Sequence, residues 1–240
     1  MSRVLPPLCS LFEGPNKPVV VFDVDNTLAP TGKGLGHELN CWISRKAGVS
    51  YEEVALHCPR LLARHGHVFW PLRDHFGLRD EDEPELWSSV TEAFHDNIDR
   101  HISPDPVVQG LMNRLASRTA MMVAFTANYR PHGERVLSAV GLDKVIPSHR
   151  TFGRGCVDEE SKVGVEAYLI LRERYLNDIP AETALIMVED MANNLTGARA
   201  AGLYTVHIGP NRVSHRHAYA VDYRFPNILA VLEEMNGGRS

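Results

Sequence analysis

The 240-residue sequence has no apolar run approaching the roughly 18 residues that cross a bilayer, and its first eighteen residues, broken by scattered prolines, lack the apolar stretch of a signal peptide. It is also poor in cysteine. Cys9, Cys41, Cys58 and Cys156 stand far apart with no C-x-x-C pair, which suggests neither a zinc knuckle nor a disulfide framework and leads us to expect a reducing, cytoplasmic setting. Positive charge is not in excess either: 25 Lys and Arg face 30 Asp and Glu, a net −5 that leaves no electrostatic footprint for a nucleic-acid polymer. No internal repeat is visible, and nothing points to an oligomeric state or a membrane partner. What the chain does have is an ordinary globular balance, 44% apolar and 23% charged, enough to bury a real core. Twelve histidines are its one unusual count, of interest if they cluster as metal ligands or general bases.

Four short apolar runs punctuate the chain: Val19 to Phe22, Met121 to Phe125, Ala184 to Val188 and Leu203 to Ile208. Continuous β-branched stretches without alternation predict strands covered on both faces, as in a parallel sheet. Between them lie helical stripes through Val107 to Leu115 and Val136 to Val140, a third helix from Ser161 to Tyr175 with Ser161 as its cap, and a fourth from Leu195 closed by Gly202. Strands alternating with helices predict right-handed crossovers and an open, doubly wound α/β sheet.

The strand signal vanishes between about Pro30 and Ser103, where helices are expected near 38–47, 51–64, 70–77 and 84–101. The expected organisation is therefore a discontinuous core, 15–30 with 104–235, carrying a helical cap over 31–103. Gly32-Lys33-Gly34-Leu35-Gly36 lacks the strand-to-helix context of a nucleotide fingerprint and reads as a hinge or turn.

In an open parallel sheet, ligands bind beyond the carboxyl ends of the strands. There the first run ends in Asp23-Val24-Asp25-Asn26-Thr27-Leu28, the second in Thr126-Ala127-Asn128 and the third in Glu189-Asp190, with Asn193-Asn194 close behind; Lys162 is placed at the start of the third helix. This ordered set resembles the haloacid dehalogenase superfamily, whose D-x-D-x-T first motif, hydroxyl-bearing second motif, basic third and acidic fourth fall on Asp23 to Leu28, Thr126, Lys162, and Glu189-Asp190 with Asn194. The resemblance implies a Rossmann-like core with an inserted cap, Mg²⁺ as cofactor, and a small phosphorylated metabolite as partner. It assigns Asp23, Asp190 and the Asp25 backbone carbonyl to the metal, and Thr126 with backbone N–H groups near Ala127 to the phosphate oxygens.

The residue types make chemical sense on their own terms. A phosphate monoester carries about −1.5 to −2 charge, so an anionic nucleophile needs cations to screen its approach. Asp23, Asp190 and Glu189 offer oxygen ligands for Mg²⁺, Lys162 adds positive charge, and Asp23 could then attack phosphorus to form an aspartyl-phosphate that water hydrolyses. Two residues on, Asp25 would share a side of the extended chain with Asp23, placed to protonate the leaving alkoxide and then deprotonate water. Halide departure needs no acid, so the Asp-x-Asp pair favours phosphoryl transfer over dehalogenation. Glu189 has a second reading, as a partner that orients Lys162 or metal waters; Asn194 would orient the loop or a metal water, and Thr27 would cap the turn.

The first motif through Pro30, the stretch His95 to Asp99, the Ser103-Pro104-Asp105-Pro106 re-entry and Phe125-Thr126-Ala127-Asn128 together resemble the pyrimidine 5′-nucleotidase group of subfamily I, with its helical cap. Two departures stand out: Ala and Asn are exchanged relative to that group's Thr-Asn-Ala, and Lys162 is followed by Val163 where the group commonly has Pro. A phosphatase is the leading expectation, possibly for a nucleoside 5′-monophosphate. A phosphomutase and a non-catalytic metabolite-binding relative stay open. The cap holds seven of the twelve histidines together with Trp42, Arg64, Phe69 and Trp70; an aromatic such as Phe69 or Trp70 could stack on a base, but these residues are expected mainly as cap core. The His65-x-His67 and His215-x-His217 pairs read as solvated surface.

Overall fold

The computed structural model describes residues 5–65, 69–209 and 213–238; the side chains of 62–65 and 69–70 are not described. The expectations placed on Arg64, the His65-x-His67 pair, Phe69 and Trp70 therefore lie outside the described residues. Two compact units emerge, one built from residues 1–30 and 102–240, the other from 31–101.

The first unit is a six-stranded sheet, all parallel, in the order β3-β2-β1-β4-β5-β6. Its strands are β1 (Val19–Phe22), β2 (Met121–Phe125), β3 (Thr151–Phe152), β4 (Leu185–Glu189), β5 (Tyr204–Ile208) and β6 (Tyr223–Phe225). The four anticipated apolar runs form the centre, and every residue of β1 and β4 is buried. The doubly wound parallel sheet is thus as expected, but with two more strands than the sequence announces. Both are edge strands of two and three residues, too short for a pattern of their own.

Helices α6 (Pro106–Ala116), α7 (Arg130–Ala139), α8 (Val165–Tyr175), α9 (Asn194–Ala200) and α10 (Ile228–Met235) connect or follow the strands. Asp105 caps α6 by accepting hydrogen bonds from the Val107 and Val108 N–H groups, with Pro106 in the first turn where its missing N–H costs nothing. On one side of the sheet, Val19, Val21, Val123, Phe125 and Met187 pack with Ala167, Tyr168 and Leu171 of α8 and Leu195 and Ala198 of α9. At about 25 cal/mol per Å² of apolar surface, this burial is what holds the sheet and its helices together.

The third predicted helix needs correction. It begins at Val165, not Ser161; Gly164 occupies the cap position without a side-chain bond, and Val163, assigned to the apolar stripe, is exposed. Ser161 Oγ instead accepts from the Val163 N–H within a turn. Lys162 therefore lies ahead of the helix, in a segment whose backbone packs closely against Gly197 of α9.

The second unit is helical: α1 (Gly32–Ala47), α2 (Tyr51–His65), α3 (Phe69–Phe76), α4 (Glu83–Asp96) and a single turn, α5 (Ile98–His101). Its core gathers Leu39, Trp42, Ile43, Val54, Cys58, Leu72, Leu78, Leu86 and Val90, so Trp42 belongs to the core of this unit, as expected. The glycine-rich stretch is no hinge or turn. It forms the first turn of α1, and a Cβ at Gly34 would stand 2.6 Å from His101 Cγ and 2.7 Å from Phe94 Cε2, so glycine permits the close approach of helix to side chains. Among the described residues, no helix is long and apolar enough to cross a membrane.

Candidate active site

The strand order reverses between β1 and β4, where one neighbour chain leads to β2 and the other to β5. Crevices at such a reversal are where open α/β sheets take ligands. Phe22 pairs with Val188, so the two strands leave the sheet with Asp23 and Glu189 side by side. One ligand oxygen from each of Asp23, Glu189 and Asp190 falls within a span of 4.8 Å.

Three clustered carboxylates in a buried setting are costly, and Lys162 answers part of the cost. Its Nζ lies 2.6 Å from Asp23 Oδ1 and 2.5 Å from Glu189 Oε2, with all three side chains at or below 5% exposure. Burial alone would lower the Lys162 pKa; the Asp23 and Glu189 charges outweigh it and hold the ammonium well above its ordinary value. The acids shift the other way. Burial first, then repulsion from Glu189, pushes both Asp23 and Asp190 far above the usual carboxylate range, with Lys162 only partly compensating. Two formal negative charges are left over from three carboxylates and one ammonium. An all-oxygen donor set carrying excess negative charge fits a hard divalent cation such as Mg²⁺.

Lys162 reaches this cluster from a tightly built loop. Asp158 and Glu159 both take positive φ, 55° and 62°, and Arg174 grips Asp158 with two bonds of 2.7 and 2.5 Å. On the other side, a Cβ at Gly197 of α9 would meet Gly164 O at 2.2 Å and Lys162 O at 2.7 Å. No backbone neighbour can yield that much space. Gly197→Ala should therefore displace the Lys162 loop, costing roughly 1–3 kcal/mol of stability together with most turnover. Thermal unfolding and phosphate release would check it, and an alanine variant of unchanged stability would show that the contact is not tight.

Asp25 is positioned by different means. The strand ends at Phe22, so the extended geometry expected to align Asp25 with Asp23 does not continue. The chain turns instead, with Leu28 and Ala29 N–H groups both donating to Val24 O and Asn26 at φ 60°, a left-handed position that asparagine tolerates better than most residues. Asp25 then faces the end of β2. Thr126 Oγ1 donates to Asp25 Oδ2 at 3.1 Å, Asn128 Nδ2 donates to the same oxygen at 2.8 Å, and His132 Nε2 lies 2.9 Å from Oδ1. Thr126 Oγ1 also accepts the Asn128 N–H at 3.0 Å, which pins the turn.

The structure thus brings together Asp23, Lys162, Glu189 and Asp190 in one group, and Asp25 with Thr126 in a second. Ala127 is exposed between Thr126 and Asn128. Thr27 is buried, and its hydroxyl has no hydrogen-bond partner among the described residues. Asn194 opens α9, where its carbonyl accepts the Tyr168 hydroxyl at 3.1 Å; Asn193, not Asn194, supplies the cap, its Oδ1 accepting the Asn194 N–H. Two residues escaped the sequence reading. Asn128 was noticed only as an exchange within the second motif, and that exchange is what places an amide on Asp25. His132, 2% exposed in the first turn of α7, was one histidine among twelve; its distance of six residues from Thr126 is the only signal that could have found it.

No family profile matches the sequence, and no curated protein matches it either. Solved structures do. A haloacid dehalogenase hydrolase of family IA, variant 3, from Entamoeba histolytica superposes with a TM-score of 0.71 at 16% identity, covering 92% of this chain and 98% of that one. A protein described as a phosphatase from Clostridium difficile gives 0.67 at 15% identity, covering 92% and 100%. One described as a haloacid dehalogenase hydrolase from Bacillus subtilis, solved with magnesium bound, gives 0.63 at 14% identity, covering 92% and 99%. At such identities the likeness is one of architecture: this chain has the haloacid dehalogenase-like fold.

Proposed function

We propose that the protein is a Mg²⁺-dependent phosphatase that hydrolyses a small phosphomonoester through an aspartyl-phosphate on Asp23. The observation carrying this reading is the Asp23, Glu189, Asp190 and Lys162 cluster at the reversal of the sheet, with a separately held carboxylate, Asp25, two residues from the nucleophile. Asp23, Asp190 and the Asp25 backbone carbonyl would hold Mg²⁺, which when bound supplies positive charge against the phosphoryl oxygens. Lys162 steadies the Asp23 carboxylate and offsets charge as phosphorus approaches, while Glu189 orients Lys162. The backbone around Ala127 would bind the non-bridging oxygens, joined by the Thr126 hydroxyl when it turns from Asp25 to the phosphate. Asp23 Oδ attacks phosphorus as the bond to the leaving oxygen breaks, and Asp25 delivers a proton to that oxygen. Water then attacks the aspartyl-phosphate, gives its proton to Asp25, and restores Asp23.

For the leaving group our reading is a nucleoside 5′-monophosphate, supported by the resemblance of Asp23 to Pro30, His95 to Asp99, Ser103 to Pro106 and Phe125 to Asn128 together to the pyrimidine 5′-nucleotidase group. Phosphate release from an aryl phosphate and from a panel of nucleotides, sugar phosphates and phosphoglycolate tests both levels. Undetectable turnover with Mg²⁺ would overturn the phosphatase reading. Turnover of a sugar phosphate in isotopic water that releases little labelled phosphate would instead indicate return of the phosphoryl group to the bound sugar.

Metal linkage gives a second measurement. Because the folded Asp23 and Asp190 carboxyls have raised pKa values, the metal-free protein holds protons that the unfolded chain has already released at neutral pH. Their contribution to stability is therefore present at acid pH and is lost as pH rises through the folded pKa values. Mg²⁺ at a hundredfold excess over Kd should add about 2.7 kcal/mol. Its increment in Tm should be larger near pH 8 than near pH 5.5, since binding displaces those protons. An increment independent of pH would place the ion elsewhere.

A further inference from the structure

Asp25 is gripped from both sides, and one of the groups holding it has no part in the roles assigned above. Thr126 and Asn128 hold Oδ2, while His132 Nε2 stands 2.9 Å from Oδ1. With only 1% of its side chain exposed, His132 is buried, and burying an imidazole is costly unless its nitrogens find partners. The partner the fold supplies is the carboxyl group that must lose and regain a proton in every turnover. Once Asp25 has given up its proton, the carboxylate only accepts hydrogen bonds, so at this distance Nε2 then carries the hydrogen.

The ring has little freedom to be elsewhere. His132 lies in the first turn of α7, its N–H bonded to Tyr129 O at 3.0 Å. A Cβ at the next residue, Gly133, would sit 3.1 Å from Thr151 Cγ2 and 3.3 Å from Thr126 Cγ2, so the helix is seated tightly against the ends of β2 and β3. The arrangement holds both oxygens of Asp25 from two elements, the loop after β2 and α7.

We propose that His132 is the positioning residue for Asp25, orienting its carboxyl group towards the leaving oxygen and stabilising the carboxylate that proton donation creates. This rests on the phosphatase reading. In the first step the Asp25 O–H bond breaks as the leaving oxygen gains the proton, the Asp23 oxygen–phosphorus bond forms and the ester bond breaks; the charge left on Asp25 is met by the His132 N–H. In the second, water transfers its proton to Asp25 while its oxygen displaces Asp23 from phosphorus. His132 itself neither gains nor loses a proton.

Leaving-group dependence separates this role from a structural one. An alkoxide must be protonated to leave, whereas a nitrophenolate leaves unaided, and kcat/KM reports only steps through departure of that group. With Mg²⁺ present, His132→Ala should lower kcat/KM for an alkyl phosphate by roughly 100-fold, and for 4-nitrophenyl phosphate by only about threefold. Its kcat on the aryl ester should fall further than its kcat/KM, because hydrolysis of the aspartyl-phosphate still uses Asp25 as base. His132→Gln, whose amide N–H reaches towards the Nε2 position, should recover most of the alkyl-ester rate; His132→Asn, too short, should not. Equal losses on the two esters, or a glutamine variant no better than asparagine on the alkyl ester, would overturn the proposal. The glutamine and asparagine comparison decides the matter even if the alanine variant does not fold. A wild-type protein that cleaves neither ester removes the phosphatase reading itself, and this proposal with it.

Discussion

Asp23→Asn is expected to lower phosphate release on the order of 10⁴-fold or more while leaving the metal-free protein at least as stable as the wild type. The two halves of this expectation come from the same geometry. Asparagine keeps the shape of the side chain and an oxygen that can still accept from Lys162, now 2.6 Å away, but it is far too poor a nucleophile to attack phosphorus. At the same time it removes one of three crowded negative charges, in a place where burial and Glu189 already hold the Asp23 pKa far above its usual range. The group left behind pairs Lys162 with Glu189 alone and lowers the excess charge from two to one. In chelator the variant's stability advantage over the wild type should therefore grow towards alkaline pH, where the wild type must keep Asp23 ionised. Mg²⁺ should bind more weakly, having lost a charged ligand. Thermal unfolding with and without Mg²⁺, set beside phosphate release, reads all three effects. Retained turnover would remove Asp23 from the nucleophile's role, and a large loss of stability would mean that its charge is structurally required.

How far such a site is legible in a sequence depends on how its groups are brought together. Asp23 and Glu189-Asp190 follow directly upon buried apolar runs, and pairing of those runs in a parallel sheet places their ends side by side. The doubly wound sheet was legible for the same reason. Lys162 was legible as a residue but not as a location: its loop is shaped by two left-handed residues, the Arg174 grip and the contact with Gly197, none of which leaves a periodic trace. Ser161 looked like a helix cap because the residues are right for one; the helix begins instead at Val165, and the backbone before it packs against Gly197 of α9, more than thirty residues away. The same holds for Gly34, whose reason is contact with Phe94 and His101 rather than turn chemistry.

The histidine count illustrates the limit in another way. Seven of the twelve histidines fall in the 31–101 stretch, yet two of the five outside it, His132 and His207, are almost fully buried in the core unit. His207 of β5 lies opposite Glu189 of β4, and burial keeps its pKa below the ordinary value. His132 touches Asp25 because the loop after β2 turns into α7, a path set by Asn128 O accepting the Arg154 N–H and by Gly153 allowing that approach. Composition reports how many such groups exist; only the packing says which one meets a carboxylate.

Lys162→Met should cost stability as well as turnover, with the stability loss growing as pH rises. The ammonium sits between two carboxylates, each no more than 5% exposed, and methionine fills much of the same volume without charge. Removing one member of a buried ion cluster leaves its partners uncompensated, a change worth about 3–5 kcal/mol, or a Tm lower by roughly 10 °C in a chain of this size. The sign of the pH dependence follows from linkage. Without the cation, the folded pKa of Asp23 rises further above its unfolded value, so the variant is least affected at acid pH, where Asp23 is protonated, and most affected once it must ionise. Mg²⁺ should restore part of the loss by supplying charge at the same oxygens. Turnover, by contrast, should stay on the order of 10²–10³-fold down even with saturating Mg²⁺, because the charge opposing the phosphoryl group is then one short. Unfolding measured in chelator across pH provides the decisive readout. A deficit that does not change with pH would mean that Lys162 contributes packing rather than charge to the buried cluster.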